Sequence, residues 1–258
     1  MILLTPAQTA TLKDWFLPER PGPLIGSHVI QTGQGTCHVD RWPHPRAVLM
    51  DTAGNYSLRG DPNALSPADL QSHLAGFVDT SPDFVPLLKA AFPEVIEWPR
   101  VIFEWRAAPR LPAPSAYPLR RLEPADLVQL QGLSPEVDWI AKTWGGMPGL
   151  AASGFAWGAF VGGQLAAVAC SFFVGQMYED IGVITEPEFR GLGLSTACAG
   201  MLCDDIQARG HQPSWSTSLD NTASIRVAEK LGFVLQRHAV LYIVGIDIPA
   251  PAASPTNE

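Results

Sequence analysis

Charge is scarce in this chain of 258 residues: Asp, Glu, Lys and Arg make up 16%, and the net charge at pH 7 is −8. No long basic run interrupts that acidic balance, so an electrostatic footprint for nucleic acid is not expected. No apolar segment reaches the length of a membrane span, and the opening Met-Ile-Leu-Leu-Thr-Pro is too short for a signal peptide. Cysteine is limited to Cys37, Cys170, Cys198 and Cys203, none in C-x-x-C spacing. With no export signal, four buried thiols in a reducing cytoplasm are the expected state. His28, His38, His44, His73, His211 and His238 form no ligand pair at useful spacing, so no metal site is expected. Gly-Lys-Ser and Gly-Lys-Thr are both missing, which argues against a P-loop. What the chain does have is apolar material, at 47% enough to fill one large core or two ordinary ones.

The most informative stretch runs from Asp180 to Thr196. It reads as a buried strand through Ile181 to Thr185, a turn opened by Glu186-Pro187, and a glycine-bearing entry into a helix. Gly191 and Gly193 carry no Cβ, so another molecule can approach the main chain there. The helical pattern that follows places Leu194, Cys198, Met201 and Leu202 on one side. A helix start offers unpaired N–H groups and the positive end of the dipole, which together favour phosphate. A dinucleotide fingerprint fits poorly, since Thr196 stands in place of the third glycine and His211 near the position of the ribose-binding acid. By itself the corner fits a ligand-free turn equally well.

Its surroundings add weight. Arg190-Gly191-Leu192-Gly193-Leu194-Ser195 resembles the R/Q-x-x-G-x-G/A signature of the GNAT superfamily of N-acetyltransferases, with Ser195 replacing the final Gly or Ala. Asn221-Thr-Ala-Ser224, closing in Lys230-Leu-Gly-Phe233, resembles that family's second block. The pair is also similar to the branch containing antibiotic self-resistance acetyltransferases. The resemblance covers about residues 117–247 and implies acetyl-CoA as co-substrate. It assigns the pyrophosphate to Arg190, Gly191, Leu192, Gly193, Leu194, Ser195 and Thr196, and the pantetheine arm to Val183, Ile184 and Thr185. Asn221 and Ser224 would contact the cofactor arm. It further implies that the central strands splay, with the gap between Val183–Thr185 and Trp215–Thr217, and that an amide near Ile184 stabilises the oxyanion.

The fold class expected is α/β with a mixed sheet. A mixed α/β domain at 1–107 precedes a proline-rich linker at 108–118 (Pro109, Pro112, Pro114, Pro118), then the GNAT-like domain at 119–248 and a disordered tail at 249–258. In the first half, Thr5-Pro6, Ser66-Pro67 and Ser81-Pro82 each read as a helix start. Short strands are expected at 37–40, 47–51, 56–59 and 101–105. Because this half also carries a hairpin, it reads as a degenerate copy of the second. In the second half, strands are expected at 119–122, 155–161, 165–173, 178–185, 214–218, 233–236 and 240–244, and helices at 124–133, around 137–144, at 194–209 and at 224–231.

An amine attacking a thioester must first lose a proton, so a base or a water relay is required. Glu179 and Asp180 precede the apolar run of the central strand, and as neighbours on a strand they point to opposite faces. The sequence does not separate them. Many GNATs carry a Tyr seven residues after the asparagine to protonate the leaving thiolate, where this chain has Ala228. Tyr242, Tyr178 or water are the substitutes in view. A small-molecule amine is the expected acceptor, with Asp138 considered for a cationic one and Trp139 and Trp144 for the pocket wall. A non-catalytic acyl-CoA-binding module is the alternative. Nothing in the sequence fixes the acceptor or the oligomeric state.

Overall fold

Backbone pairing joins every strand of the described residues into one mixed sheet of 12 strands. The structure is a computed structural model that describes residues 1–106 and 116–248. Most of the connector expected at 108–118, and the tail expected at 249–258, lie outside those residues.

The first half runs β1 (Ile2–Leu3), α1 (Pro6–Thr9), α2 (Ile25–Thr32), β2 (Thr36–Val39), β3 (Ala47–Thr52), β4 (Asn55–Gly60), α3 (Pro67–Gln71), β5 (Gly76–Thr80), α4 (Val85–Ala91) and β6 (Ile96–Trp105). The second half runs β7 (Leu119–Arg121), α5 (Leu127–Gln131), α6 (Met147–Ser153), β8 (Ala156–Val161), β9 (Gln164–Val174), β10 (Tyr178–Thr185), α7 (Leu194–Ala208), β11 (Gln212–Ser218), α8 (Thr222–Lys230) and β12 (Phe233–Val244). Short 3₁₀ turns aside, both halves repeat one order: strand, two helices, three strands, helix, strand, helix, strand. In each, the fourth and fifth strands pair in parallel. The first half is therefore a second copy of the fold, as its hairpin suggested.

The two copies exchange their last strands. The sheet order is β1-β2-β3-β4-β5-β12-β6-β11-β10-β9-β8-β7, so β12 lies against β5 of the first copy and β6 against β11 of the second. The division expected between residues 107 and 119 falls between β6 and β7, and the hydrogen bonding crosses it. At the centre, Arg237 faces Ile102, Ala239 faces Arg100 and Leu241 faces Trp98 in an antiparallel ladder. The antiparallel ladder relates β6 and β12 by a local half turn.

Apolar residues sort by strand alternation onto two faces. On one, Ile181, Trp215 and Phe103 meet Leu194, Cys198 and Leu202 of α7, and a matching cluster of Leu58, Val78, Leu70 and Leu88 covers the first copy. On the other, Ile184, Cys170 and Ile140 pack with Trp144 and Leu150, while Leu12, Val29 and Met50 fill the first copy. All four cysteines are free and buried, as expected. β12 is one strand rather than the two anticipated, because a bulge between Leu235 and Arg237 absorbs the polar interruption. The segment around Val137–Trp144 is a 3₁₀ helix, Asp138–Trp144, rather than an α-helix, and α2, β5 and α6 were not anticipated.

Candidate active site

β10 and β11 part company in mid-strand. They pair in parallel at Tyr178–Gln212, Glu179–Pro213 and Asp180–Ser214, and then no further. Each keeps its outer neighbour: β10 stays on β9 as far as Thr185, and β11 stays on β6 as far as Ser218. The β9–β10 register shifts between Asp180 and Ile181, where Phe172 is the extra residue. A bulge bends its strand and sharpens the twist, and this one stands where the pairing to β11 ends. Beyond it, facing main-chain groups on Val183–Thr185 and Trp215–Thr217 have no ladder partner across the gap. The Thr185 hydroxyl, buried at the same fork, also lacks a hydrogen-bond partner. Buried polar groups are rarely left this way, so a guest with donors and acceptors suits the fork.

The glycine turn closes the open end. Gly191 and Gly193 have φ of +85° and +74°, and a Cβ built on either would meet nothing within 4 Å. Helix α7 begins at Gly193 with no side-chain cap, and its first internal bond runs from Ala197 N–H to the Gly193 carbonyl. The amides of Leu194, Ser195 and Thr196 therefore have no partner within the helix. Arg190 lies beside them and is anchored to Glu136 by a 2.6 Å ion pair. The first copy makes the contrast. Its equivalent helix, α3, starts with Pro67, which has no N–H, and is closed by a capping box between Ser66 and Asp69. The Asp69 carboxylate already holds the Ser66 amide there.

Asn221 is the N-cap of α8, its Oδ1 accepting from Ser224 N–H at 3.1 Å. Ser224 Oγ accepts from Trp215 Nε1 at 2.9 Å, which fixes the indole under the fork. Val183 packs toward α7, whereas Ile184 is buried on the opposite face.

The two carboxylates meet different surroundings. Glu179 is fully buried on the α7 face and accepts from Arg209 Nε at 2.9 Å and Nη2 at 2.7 Å, from His211 Nδ1 at 2.9 Å, and from the Ser171 hydroxyl. Asp180 lies on the other face, at the crotch of the fork, and accepts from Ser214 Oγ at 2.8 Å and Ser216 Oγ at 2.7 Å. Burial pushes the Asp180 carboxyl up to about 6, against the opposing pull of the two hydroxyls and of the Arg100 and Arg237 charges. Ser216 is only half-buried, so its hydroxyl joins the hidden carboxylate to the open fork.

The serines and both arginines were not singled out in the sequence. Alternation of Ser214, Ser216 and Ser218 along an otherwise buried strand was the available signal. For Arg100 there was none, because it belongs to the first half and reaches the site only through the strand exchange. Of the aromatics considered for the pocket wall, Trp144 is buried and donates to the Ser171 carbonyl, and Trp139 rests edge-on against Phe172. Asp138 faces solvent beside Lys142. Ala228 is fully buried. Tyr178 stands at the closed end of β10, and Tyr242 packs into the core of the first copy.

Comparison with known proteins gives one family and one fold. The family model for GNAT acetyltransferases matches residues 21–242, thus both copies. An uncharacterised N-acetyltransferase encoded in the region 5′ of mutA in Streptomyces virginiae is 41% identical over 214 residues, spanning 82% of this chain and 90% of the relative. The uncharacterised N-acetyltransferase YdfB of Bacillus subtilis is 24% identical over 263 residues, spanning 94% and 98%. A GCN5-related N-acetyltransferase-like protein from Streptococcus suis superposes with a TM-score of 0.70 at 18% identity, over 93% of this chain and 99% of its own. A tandem GNAT protein from the clavulanic acid biosynthesis pathway, solved without AcCoA, superposes with a TM-score of 0.57 at 13% identity, over 93% and 96%. These two structures share the fold.

Proposed function

Since this chain belongs to the GNAT acetyltransferase family and is an acyltransferase, we propose that it moves an acetyl group from acetyl-CoA to the amine of a small molecule. The observation that carries this reading is the fork between β10 and β11, open past Asp180–Ser214 and ending at an uncapped helix start. The residues fit the co-substrate. A glycine cradle that a side chain would fill offers amides for the diphosphate, and the orphaned Thr185 hydroxyl and unpaired strand edges suit an amide-bearing arm. When bound, acetyl-CoA supplies an activated acyl thioester.

The protein's own contribution is positioning and proton removal. Amides of residues 191–196, with Arg190 beside them, hold the diphosphate, while Val183, Ile184 and Thr185 hold the arm. An amide near Ile184 donates to the thioester carbonyl as charge develops on it. Asp180 is the base and takes the amine's proton through the half-buried Ser216 hydroxyl; its elevated pKa keeps it ionised at neutral pH yet basic enough to accept. Glu179 has a structural role, with its oxygens engaged by Arg209, His211 and Ser171 on the far face. The thiolate leaves without a tyrosine acid, which its modest basicity allows. Transfer is direct in this reading, with the Ser216 hydroxyl relaying the proton to Asp180 rather than attacking the thioester. The reaction belongs to the cytoplasm.

Calorimetry with acetyl-CoA, followed by free-thiol release across a panel of amines, tests the reading. Binding and acceptor-dependent release are expected. Failure to bind acetyl-CoA would remove the assignment, and binding without release from any amine would leave an acyl-CoA-binding module in its place.

A further inference from the structure

On the face of the sheet that carries Asp180, the segment from Trp15 to Ser27 roofs a cavity of about 470 Å³. Its walls include Trp15, Phe16, Arg20, Arg59, Asp79 and Arg237. The carboxylates near it are already engaged. Asp79 is paired with Arg59. Glu19 turns away to accept from the amides of Gln176, Met177 and Tyr178 at 2.9, 2.8 and 2.9 Å.

The guanidiniums are not engaged in this way. Among the described residues Arg20 has no ion pair, and the one hydrogen bond of Arg237 goes to the side-chain carbonyl of its neighbour Gln236. The two lie close enough that Arg20, after burial, is a cause of the lowered pKa of Arg237, against the opposing pull of Asp79 and Asp180. Just beyond, Arg100 is stacked over Trp98 at 4.3 Å, and its buried Nε has no acceptor. Like charges brought together in a partly desolvated cavity, with donors left over, are costly until an anion joins them.

Register decides where that anion would lie. Ser216 faces Ile102 on β6, and Ile102 faces Arg237 on β12, so the three form one row across the sheet. Arg237 reaches this face only because of the bulge between Leu235 and Arg237; without the extra residue it would point to the other side. The row is two strand spacings wide, about 10 Å, and the Arg237 side chain spans much of it. Gly22 stands between, its amide donating to Ser214 Oγ at 3.4 Å and its bare Cα facing the Arg237 guanidinium. Ser216, bonded to Asp180, thus stands at one end of the row and the Arg237 guanidinium at the other.

We infer that the acceptor is a zwitterionic amine whose carboxylate is held by Arg237 and Arg20 in this cavity while its amine is presented to Ser216 and Asp180. This rests on the assignment of the fork as the acetyl-transfer site and gives it a substrate class. A fork-shaped guanidinium matches a carboxylate in two parallel hydrogen bonds, whereas a purely cationic amine would be repelled.

The test compares acceptors differing only in the anionic group, β-alanine against propylamine and 4-aminobutyrate against butylamine, with 3-aminopropylphosphonate as the phosphate-like arm. With the full chain and acetyl-CoA, the carboxylates should be preferred in kcat/KM by at least about 10-fold. Arg237→Gln and Arg20→Gln should each erase most of that preference, raising acceptor KM by about 10- to 100-fold with a smaller change in kcat and no change in the Kd of CoA. Equal or better use of the neutral amines overturns the proposal, as does a preference for the phosphonate. A rise in the Kd of CoA in Arg237→Gln would assign the arginines to the co-substrate and also overturn it. If no acceptor is turned over, calorimetry with N-acetyl-β-alanine against N-propylacetamide replaces the rate assay. Binding of the acid alone, lost in Arg237→Gln, supports the clamp; equal binding, or none, overturns it. Failure of acetyl-CoA to bind counts against the fork assignment instead, and so is told apart.

Discussion

Glu179 and Asp180 are adjacent in sequence, yet strand geometry sends them to opposite faces and different partners, and the proposed reaction gives them opposite roles. Asp180→Asn should lower kcat by about 100-fold or more. The wild-type rate should rise with pH through about 6 as the carboxyl loses its proton, and the variant should lose that inflection. A second effect follows from the same burial. The native carboxyl holds its proton more tightly than the unfolded one, so stability falls as pH rises from about 4 to about 6 and stays lowered above that, by about 3 kcal/mol for a two-unit shift. Asp180→Asn should therefore melt higher than wild type at pH 8 and alike at pH 4. Glu179→Gln should do the reverse: it leaves Arg209 without its buried partner, lowering stability by up to about 3 kcal/mol, with turnover per folded molecule largely kept. Melting curves and kcat for the two variants decide this. A Glu179→Gln protein that melts normally but is inactive would exchange the roles. The sequence could pose this choice but not resolve it, because the discriminating partners, Ser214, Ser216, Arg209 and His211, converge only through folding.

Among elements, α7 and its glycine turn were legible because the signals are local: backbone conformation at Gly191 and Gly193, an apolar stripe, and a stop at Gly210. The same holds for the proline-led starts of α1 and α3, and for the hairpin turn at Gly162-Gly163 between β8 and β9, whereas Ser81-Pro82 opens a 3₁₀ turn ahead of α4. The pairing of β10 to β11 ends level with the bulge at Phe172 on β9, and no residue there announces it. The fork was expected by resemblance alone. Gly193→Val tests the turn as a site: φ is +74°, which a branched residue resists, and its methyls would project into the space offered to phosphate. Affinity for CoA should fall by at least about 10-fold; an unchanged dissociation constant would contradict the site.

For the whole molecule, the exchange of β6 and β12 is the governing feature, and it was hidden because each strand reads as an ordinary terminal strand of its own half. Contacts between the copies extend beyond the ladder. His28 of α2 is buried, donates through Nε2 to the Thr143 carbonyl at 2.9 Å and accepts Val174 N–H on Nδ1 at 3.0 Å; burial lowers its pKa to about 4. Glu19 caps the turn between β9 and β10. Cutting the backbone at a protease site placed within residues 107–115 should accordingly leave one particle. The cleaved protein should elute with the intact chain and melt within a few degrees of it, whereas residues 116–248 produced alone should not fold, since β11 would lack its neighbour β6. A well-folded, CoA-binding 116–248 fragment would refute this.

The closed start of α3 and the traded strands, taken together, bear on how the two halves depend on each other. The α3 start of the first copy is not open to a diphosphate. Yet that copy still lends the working copy a strand and, on that strand, Arg100. Deleting it would strip β11 of its neighbour and the Arg237 cavity of its roof, so neither half stands without the other.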